Sequence, residues 1–299
     1  GLAGEKRVFY DRMEYYTVPD ELERIAGLID GEYDLVYGIS PEHIAAIDQH
    51  SHLMTRSQPY RLVLVIFNKK EGLFKDRKAR RALGFGLDSE SILQSVFLDE
   101  RVYHSEGSLF LPEQKVFPNV TVSTIYQGQD LDRARLLLEE AGYQGEEVVI
   151  ITDEIETLEY EIAVQVQEML NDIGMNARIE TFQKRFFVNN WSQPEKWDLF
   201  VTTWDHRLFP HYYTFLNPWD ELPGKTNDPQ MEGHLLDLEF VQTEEEFIAV
   251  MEKFQFVFWD DLAVLPLGHY HRVIGVNKTL TDYENFAGPV FWNLRKVAE

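Results

Sequence analysis

Between Glu146 and Leu216 short apolar runs alternate with amphipathic stretches, and this alternation leaves few folds open to the chain. Glu146-Glu-Val-Val-Ile-Ile-Thr and Asn176 to Phe182 have the β-branched content and length of strands. Residues 157–173 between them read as a helix stopped at Gly174, and a further short helix is expected before Trp197. Strand and helix in turn, with short links, predict a layered α/β sheet. The run Asp198-Leu-Phe-Val-Thr-Thr is its next strand. It breaks into Trp204, Asp205, His206, Arg207, Phe209, Pro210, His211 and Tyr212. In α/β proteins ligands sit outside the carboxyl ends of strands, so this break is a candidate site. The competing reading makes the aromatics core and the charges a solvated loop.

The N-terminal part alternates in the same way. Residues 20–29 read as a helix capped by Asp20, followed by a strand at Tyr33-Asp-Leu-Val-Tyr-Gly and a helix that Pro41 starts. His52 to Arg56 and Arg61 to Asn68 are two more strand candidates. A basic helix is expected from Phe74 to near Asp88, which then caps a helix running to Phe97. Residues 99–129 show no clear period, and Asp130 opens an amphipathic helix that Gly142 closes. Downstream, helices are expected over 230–240 and 243–260, the second with Thr243 and Glu246 as a capping box. Ala263 to Gly268 and His269 to Val276 read as strands, and Gly288-Pro-Val-Phe-Trp-Asn returns aromatic residues to a core.

Composition removes several functions. With 51 acidic against 28 basic residues the formal charge is -23, which repels nucleic acid and anionic membranes, so no nucleic-acid partner is expected. Cysteine is absent, which excludes disulfides, thiol nucleophiles and zinc–thiolate sites. No apolar run has the length of a membrane span, and Gly1 to Tyr16 lacks the apolar core of a signal peptide. Neither a P-loop nor a GxSxG, HExxH or dinucleotide fingerprint occurs, so no enzyme activity and no cofactor are expected.

Several segments, in order, resemble one family. Phe67-Asn-Lys-Lys-Glu-Gly-Leu-Phe-Lys-Asp-Arg-Lys-Ala-Arg-Arg-Ala-Leu carries Asn68, Asp76, Arg80, Ala82 and Leu83, with Asp88 closing the unit. That pattern is similar to the extracellular solute-binding proteins of family 5, the peptide and nickel type. Asp130-Leu-Asp-Arg-Ala-Arg-Leu-Leu-Leu-Glu-Glu-Ala-Gly-Tyr and the Ile173-Gly174 junction resemble later segments of the same family, as does the tail. The resemblance implies an α/β, periplasmic-binding-protein-like fold of type II, peptide-binding class: a lobe plus part of a second lobe. Residues 1–62 and 270–299 would belong to lobe I and 63–269 to the C-terminal α/β lobe, the whole being roughly the C-terminal half of a longer protein. It further implies a monomer that captures a peptide, metal chelate or small polar ligand by lobe closure. That protein would serve the permease of an ABC importer outside the cell or in the periplasm, anchored through a lipid-attachment segment upstream. A cytoplasmic transcriptional regulator reusing the fold as a ligand sensor is the alternative.

In dipeptide-binding relatives an Asp three residues after the loop Trp holds the ligand's amino group, and an Arg after the preceding strand holds its carboxylate. By that resemblance the first position here is Arg207 and the second falls in Asp153, Glu154 and Glu156, so both charges are inverted; a gap would instead bring Asp205 to the amino-binding role. The expected ligand-binding residues are therefore Trp204, Asp205, His206, Arg207, Tyr212, Asp153, Glu154 and Glu156. Tyr213 is also expected to face the cleft. His206, His211, His269 and His271 are open to metal ligation or to hydrogen bonding, and no metal site is assigned to them.

Overall fold

The computed structural model describes residues 4–111, 121–126, 128–153, 157–183, 193–207, 209–216, 224, 228–285 and 289–297. The first elements are α1 (Glu21–Ile29), β1 (Leu35–Ile39), α2 (Pro41–Asp48) and β2 (Leu53–Phe67). Next come α3 (Arg77–Gly86), α4 (Ser89–Phe97), β3 (Tyr103–His104), the short α5 (Val122–Ile125) and α6 (Leu131–Glu140). The middle holds β4 (Glu147–Asp153), α7 (Thr157–Asp172), β5 (Asn176–Phe182) and β6 (Leu199–Asp205). The last long elements are α8 (Pro229–Asp237), α9 (Glu244–Asp261) and β7 (Val264–Asn277), with two-residue strands after them.

Several helix starts follow the sequence closely because a side chain caps them. The carboxylates of Asp20, Asp88 and Asp130 accept from the backbone N–H groups of Glu23, Ser91 and Arg133. Asp76 likewise accepts from Lys78, which moves the start of α3 to Arg77 and leaves Leu73–Lys75 as a single 3-10 turn. Thr243 caps α9 through Glu246 N–H, while the Glu246 carboxylate reaches back to Gln242 N–H rather than to the cap itself. Before Trp197 only a 3-10 turn, Pro194–Lys196, stands among the described residues.

Two strand pairs of the sequence reading are each one long strand. Leu53–Phe67 runs unbroken through Pro59, and Val264–Asn277 runs through Gly268. Proline lacks an N–H but its φ suits extended backbone, so it need not end a strand. Gly268, at φ +154°, is needed for close approach: a Cβ there would stand 2.3 Å from the carbonyl oxygen of His104 in β3.

The chain forms two compact units. One gathers the described residues up to Tyr60, those of Asp99–Val102, and those from Tyr270 onward. Here β1 pairs antiparallel with the end of β7, Leu35 facing Val276 and Tyr37 facing Ile274. Ile274, Val276, Leu280, Tyr283 and Leu294 are buried together, with Tyr10, Tyr37 and Phe291 packed against them. Residues 99–102, expected to be irregular, are tied in by His271 N–H donating to Val102 C=O at 2.7 Å.

The other unit comprises Arg61–Leu98 and Tyr103–His269. Its strands run in the order β7-β2-β6-β4-β5, with β3 against β7. β6 is antiparallel to β2 and parallel to β4, and β4 is parallel to β5. The apolar run Leu62–Phe67 is fully buried, as are Leu199 and Val201. Arg80, which the family pattern singles out, is a packing residue. Its guanidinium donates to the carbonyls of Phe74, Lys75 and Asp261 and pairs with the Asp261 carboxylate, joining α3 to the end of α9. Trp197 and Trp259 are core residues, while Trp191 and Trp219 lie outside the described residues.

Candidate functional site

Because β4 and β6 are parallel, their carboxyl ends lie on one edge of the sheet. Ile150 faces Leu199 and Ile151 faces Phe200, so the same register carries Asp153 to the level of Thr202. Asp153 is 1% exposed. Two and three residues further along β6 the strand emerges at half-buried Trp204 and exposed Asp205. The sheet thus brings Asp153 to the edge where the 204–207 stretch begins. Glu154 and Glu156, also expected there, lie outside the described residues.

A charged chain that the sequence reading missed crosses this edge. Arg61 faces Asp205 directly across the β2–β6 pair. Its Nε donates to Asp205 Oδ1 at 3.3 Å and its Nη1 to Thr203 Oγ1 at 3.2 Å. The Thr203 hydroxyl in turn donates to Glu159 Oε1 at 2.7 Å, and Thr203 N–H donates to the same oxygen at 3.0 Å. Glu159 is 2% exposed and sits in the first turn of α7, where the helix dipole favours a carboxylate. Asp205 and Thr203 therefore hold the Arg61 side chain, with Glu159 behind Thr203, while Asp205 keeps 62% of its side chain in solvent. Opposite charges facing each other across a strand pair would have identified Arg61, but only once the register was known.

The loop beyond β6 is held by its aromatic rings. Trp204 meets Phe215 edge-on at 5.5 Å, and Phe215 stacks on Tyr213 at 5.0 Å. Tyr213 is fully buried; its hydroxyl donates to Leu109 C=O and accepts from Arg207 N–H, both at 3.2 Å. It is a core residue, contrary to the sequence expectation, and burial pushes its phenol up to about 12. Anchoring the backbone at Arg207 leaves that residue's side chain exposed. Tyr212 is 56% exposed and leans on His211, whose pKa burial lowers. His206 stacks on the buried ring of His269 at 5.1 Å, and His104 meets that ring edge-on at 6.3 Å. No three His, Asp or Glu among the described residues are placed to hold a metal ion. His271, expected to share a face with His269, lies 3.2 Å from the Ser57 hydroxyl through Nδ1.

Residues 3–227 match the model of the bacterial extracellular solute-binding proteins, family 5 middle region. The chain belongs to that family. Among curated relatives it is 24% identical to the probable peptide ABC transporter periplasmic-binding protein y4tO of Sinorhizobium fredii, over 99% of this chain and 58% of that protein. It is 25% identical to the oligopeptide-binding protein AppA of Bacillus subtilis, over 70% of this chain and 40% of AppA. Among solved structures, the ABC transporter substrate-binding protein CtaP of Listeria monocytogenes superimposes with a TM-score of 0.74 at 18% identity. That match covers 94% of this chain and 59% of CtaP, and the fold is the type II periplasmic-binding-protein fold. The chain thus spans little more than half the length of y4tO and of CtaP. Family 5 proteins are solute-binding proteins of transport systems, outside the cell or in the periplasm. Among the described residues no helix is long and apolar enough to cross a membrane.

Proposed function

We propose that this chain carries the ligand-binding residues of the substrate-binding component of an ABC importer, and that its ligand is a peptide or a peptide-like small molecule. The observation that supports it best is the edge at the ends of β4 and β6. An exposed carboxylate, Asp205, is steered by a fixed guanidinium beside half-buried Trp204, exposed Arg207 and exposed Tyr212. Such an edge suits binding and orienting a ligand. In this reading Asp205 receives a cationic group, Arg207 an anionic one, and Trp204 and Tyr212 cover the ligand's apolar parts. Asp153, at the end of β4, adds a carboxylate on the cationic side. Delivery to a membrane permease and a lipid anchor upstream complete the proposed role.

Calorimetric titration with trialanine and with a mixed tripeptide set tests this. Asp205→Ala and Arg207→Ala should each weaken binding by about 2–5 kcal/mol, the usual cost of removing one member of a desolvated charge pair. Dissociation constants equal to wild type would remove the residue from the site, since an arginine that stays in solvent contributes about 0–1 kcal/mol.

A further inference from the structure

The two oxygens of Asp205 are not equally open to a ligand. Oδ1 accepts from Arg61 Nε at 3.3 Å, while Oδ2 meets no donor among the described residues and 62% of the side chain stands in solvent. Arg61 is held more firmly than its partner, with only 24% of its side chain exposed. Its Nη1 donates to Thr203 Oγ1 at 3.2 Å, and that hydroxyl donates in turn to Glu159 Oε1 at 2.7 Å. The Glu159 carboxylate is 2% exposed and also accepts from Thr203 N–H at 3.0 Å. A guanidinium anchored through Thr203 to a buried carboxylate has little freedom to swing away. A ligand therefore meets the Arg61–Asp205 pair, not a lone carboxylate. Arg61, Glu159, Thr203 and Asp205 all lie in one compact unit.

Such a pair discriminates between kinds of cation. A guanidinium binds a carboxylate best through two parallel hydrogen bonds, one to each oxygen. Here it would have to share Oδ1 with Arg61 and set its own charge close against the Arg61 charge. Repulsion between like charges rises as their separation falls, and it is stronger at a partly buried site than in bulk water. An ammonium is a compact point charge whose N–H groups need no second oxygen. It reaches Oδ2 on the side away from Arg61, where the repulsion is weaker.

We propose that Arg61 is a specificity-determining residue: by occupying Oδ1 of Asp205 it confines the ligand's cationic group to an ammonium bound through Oδ2 and turns guanidinium groups away. This rests on the importer reading only in taking Asp205 as the residue that receives the ligand's cationic group. Arg61 acts through Asp205 and is a positioning residue.

The carboxyl-carbon resonance of Asp205, identified by its loss in Asp205→Asn, is titrated separately with methylammonium and with methylguanidinium at constant ionic strength. In the wild-type chain methylammonium should reach half-saturation at the lower concentration. Arg61→Met, which removes both the charge and the donor, should shift the ratio of the two half-saturation points about tenfold toward methylguanidinium. Thr203→Val keeps the charge and removes its anchor, so it should shift the ratio in the same direction, and it serves as the test if Arg61→Met does not fold. Calorimetry with trialanine and with its N-terminally amidinated form carries the comparison to a peptide. The expected cation ratios without heat from trialanine would keep the role of Arg61 and count against a peptide as the ligand. Equal half-saturation by both cations in the wild type, or no response of Asp205 to either, would overturn the role whatever trialanine does. So would an unchanged ratio in Arg61→Met, or in Thr203→Val where it stands in for that variant.

Discussion

Lys69 shows how a single residue can give the whole molecule a pH dependence. It is 6% exposed, and its ammonium donates to the Ala263 carbonyl at 2.9 Å. Burial lowers its pKa to about 7, with Arg80 adding to the fall and Asp261 opposing it. In the unfolded chain the same group keeps its proton to about pH 10.4. Between these values the unfolded state binds the extra proton, so folding stability should rise as pH increases from 7 toward 10, by up to about 1.4 kcal/mol per unit. Below pH 7 both states are protonated and the contribution is constant. Urea denaturation at pH 7, 8 and 9 measures this, and Lys69→Met should flatten the slope. An unchanged slope in Lys69→Met would mean that another group sets it.

At the scale of elements, strand β7 depends on one glycine. Gly268→Ala would place a methyl group 2.3 Å from the His104 carbonyl oxygen and 2.6 Å from the Leu93 side chain, on backbone at φ +154°. The backbone conformation alone costs more than about 1 kcal/mol for alanine, and the clash must add to it by parting β3 from β7. A large fall in the denaturation midpoint is expected, together with faster exchange of the β7 amides near 268. A midpoint within error of wild type would mean that β3 can move aside cheaply. Gly268 also illustrates what the sequence conveyed and what it withheld. A glycine between two apolar runs reads as a break, and only the approach of β3 reveals that it keeps the strand continuous. Helices were legible because their signals are local: Asp20, Asp88 and Asp130 lie within three residues of the N–H groups they cap. Strand β6 was legible for a similar reason, as its apolar run Leu199–Val201 is continuous in sequence. Arg61 and Glu159 were not. Their link through Thr203 joins residues 142 and 44 positions apart, which periodicity cannot report. Tyr213 was misread because an aromatic beside a charged loop looks the same in sequence whether it faces ligand or core.

For the molecule as a whole, the relevant quantity is the formal charge of -23. Ion pairs such as Arg77 and Arg81 with Asp260, Lys78 with Glu140 and Arg178 with Glu147 consume the basic side chains locally. The excess carboxylates are left to repel one another over longer distances, and folding brings them closer together. At 10 mM salt the screening length is about 30 Å, comparable to the size of a domain, whereas at 0.15 M it is about 8 Å. Adding salt should therefore relieve long-range repulsion more than it weakens the close pairs, which are individually worth about 0–1 kcal/mol when exposed. The melting temperature is expected to rise by several degrees between 10 and 150 mM sodium chloride. Most of the rise should come in the lower part of that range, and choline chloride should reproduce it because screening does not depend on the cation. A rise with sodium but not with choline would point to specific cation binding. A flat or falling curve would mean that the paired charges, rather than the unpaired excess, dominate the electrostatics of the folded state.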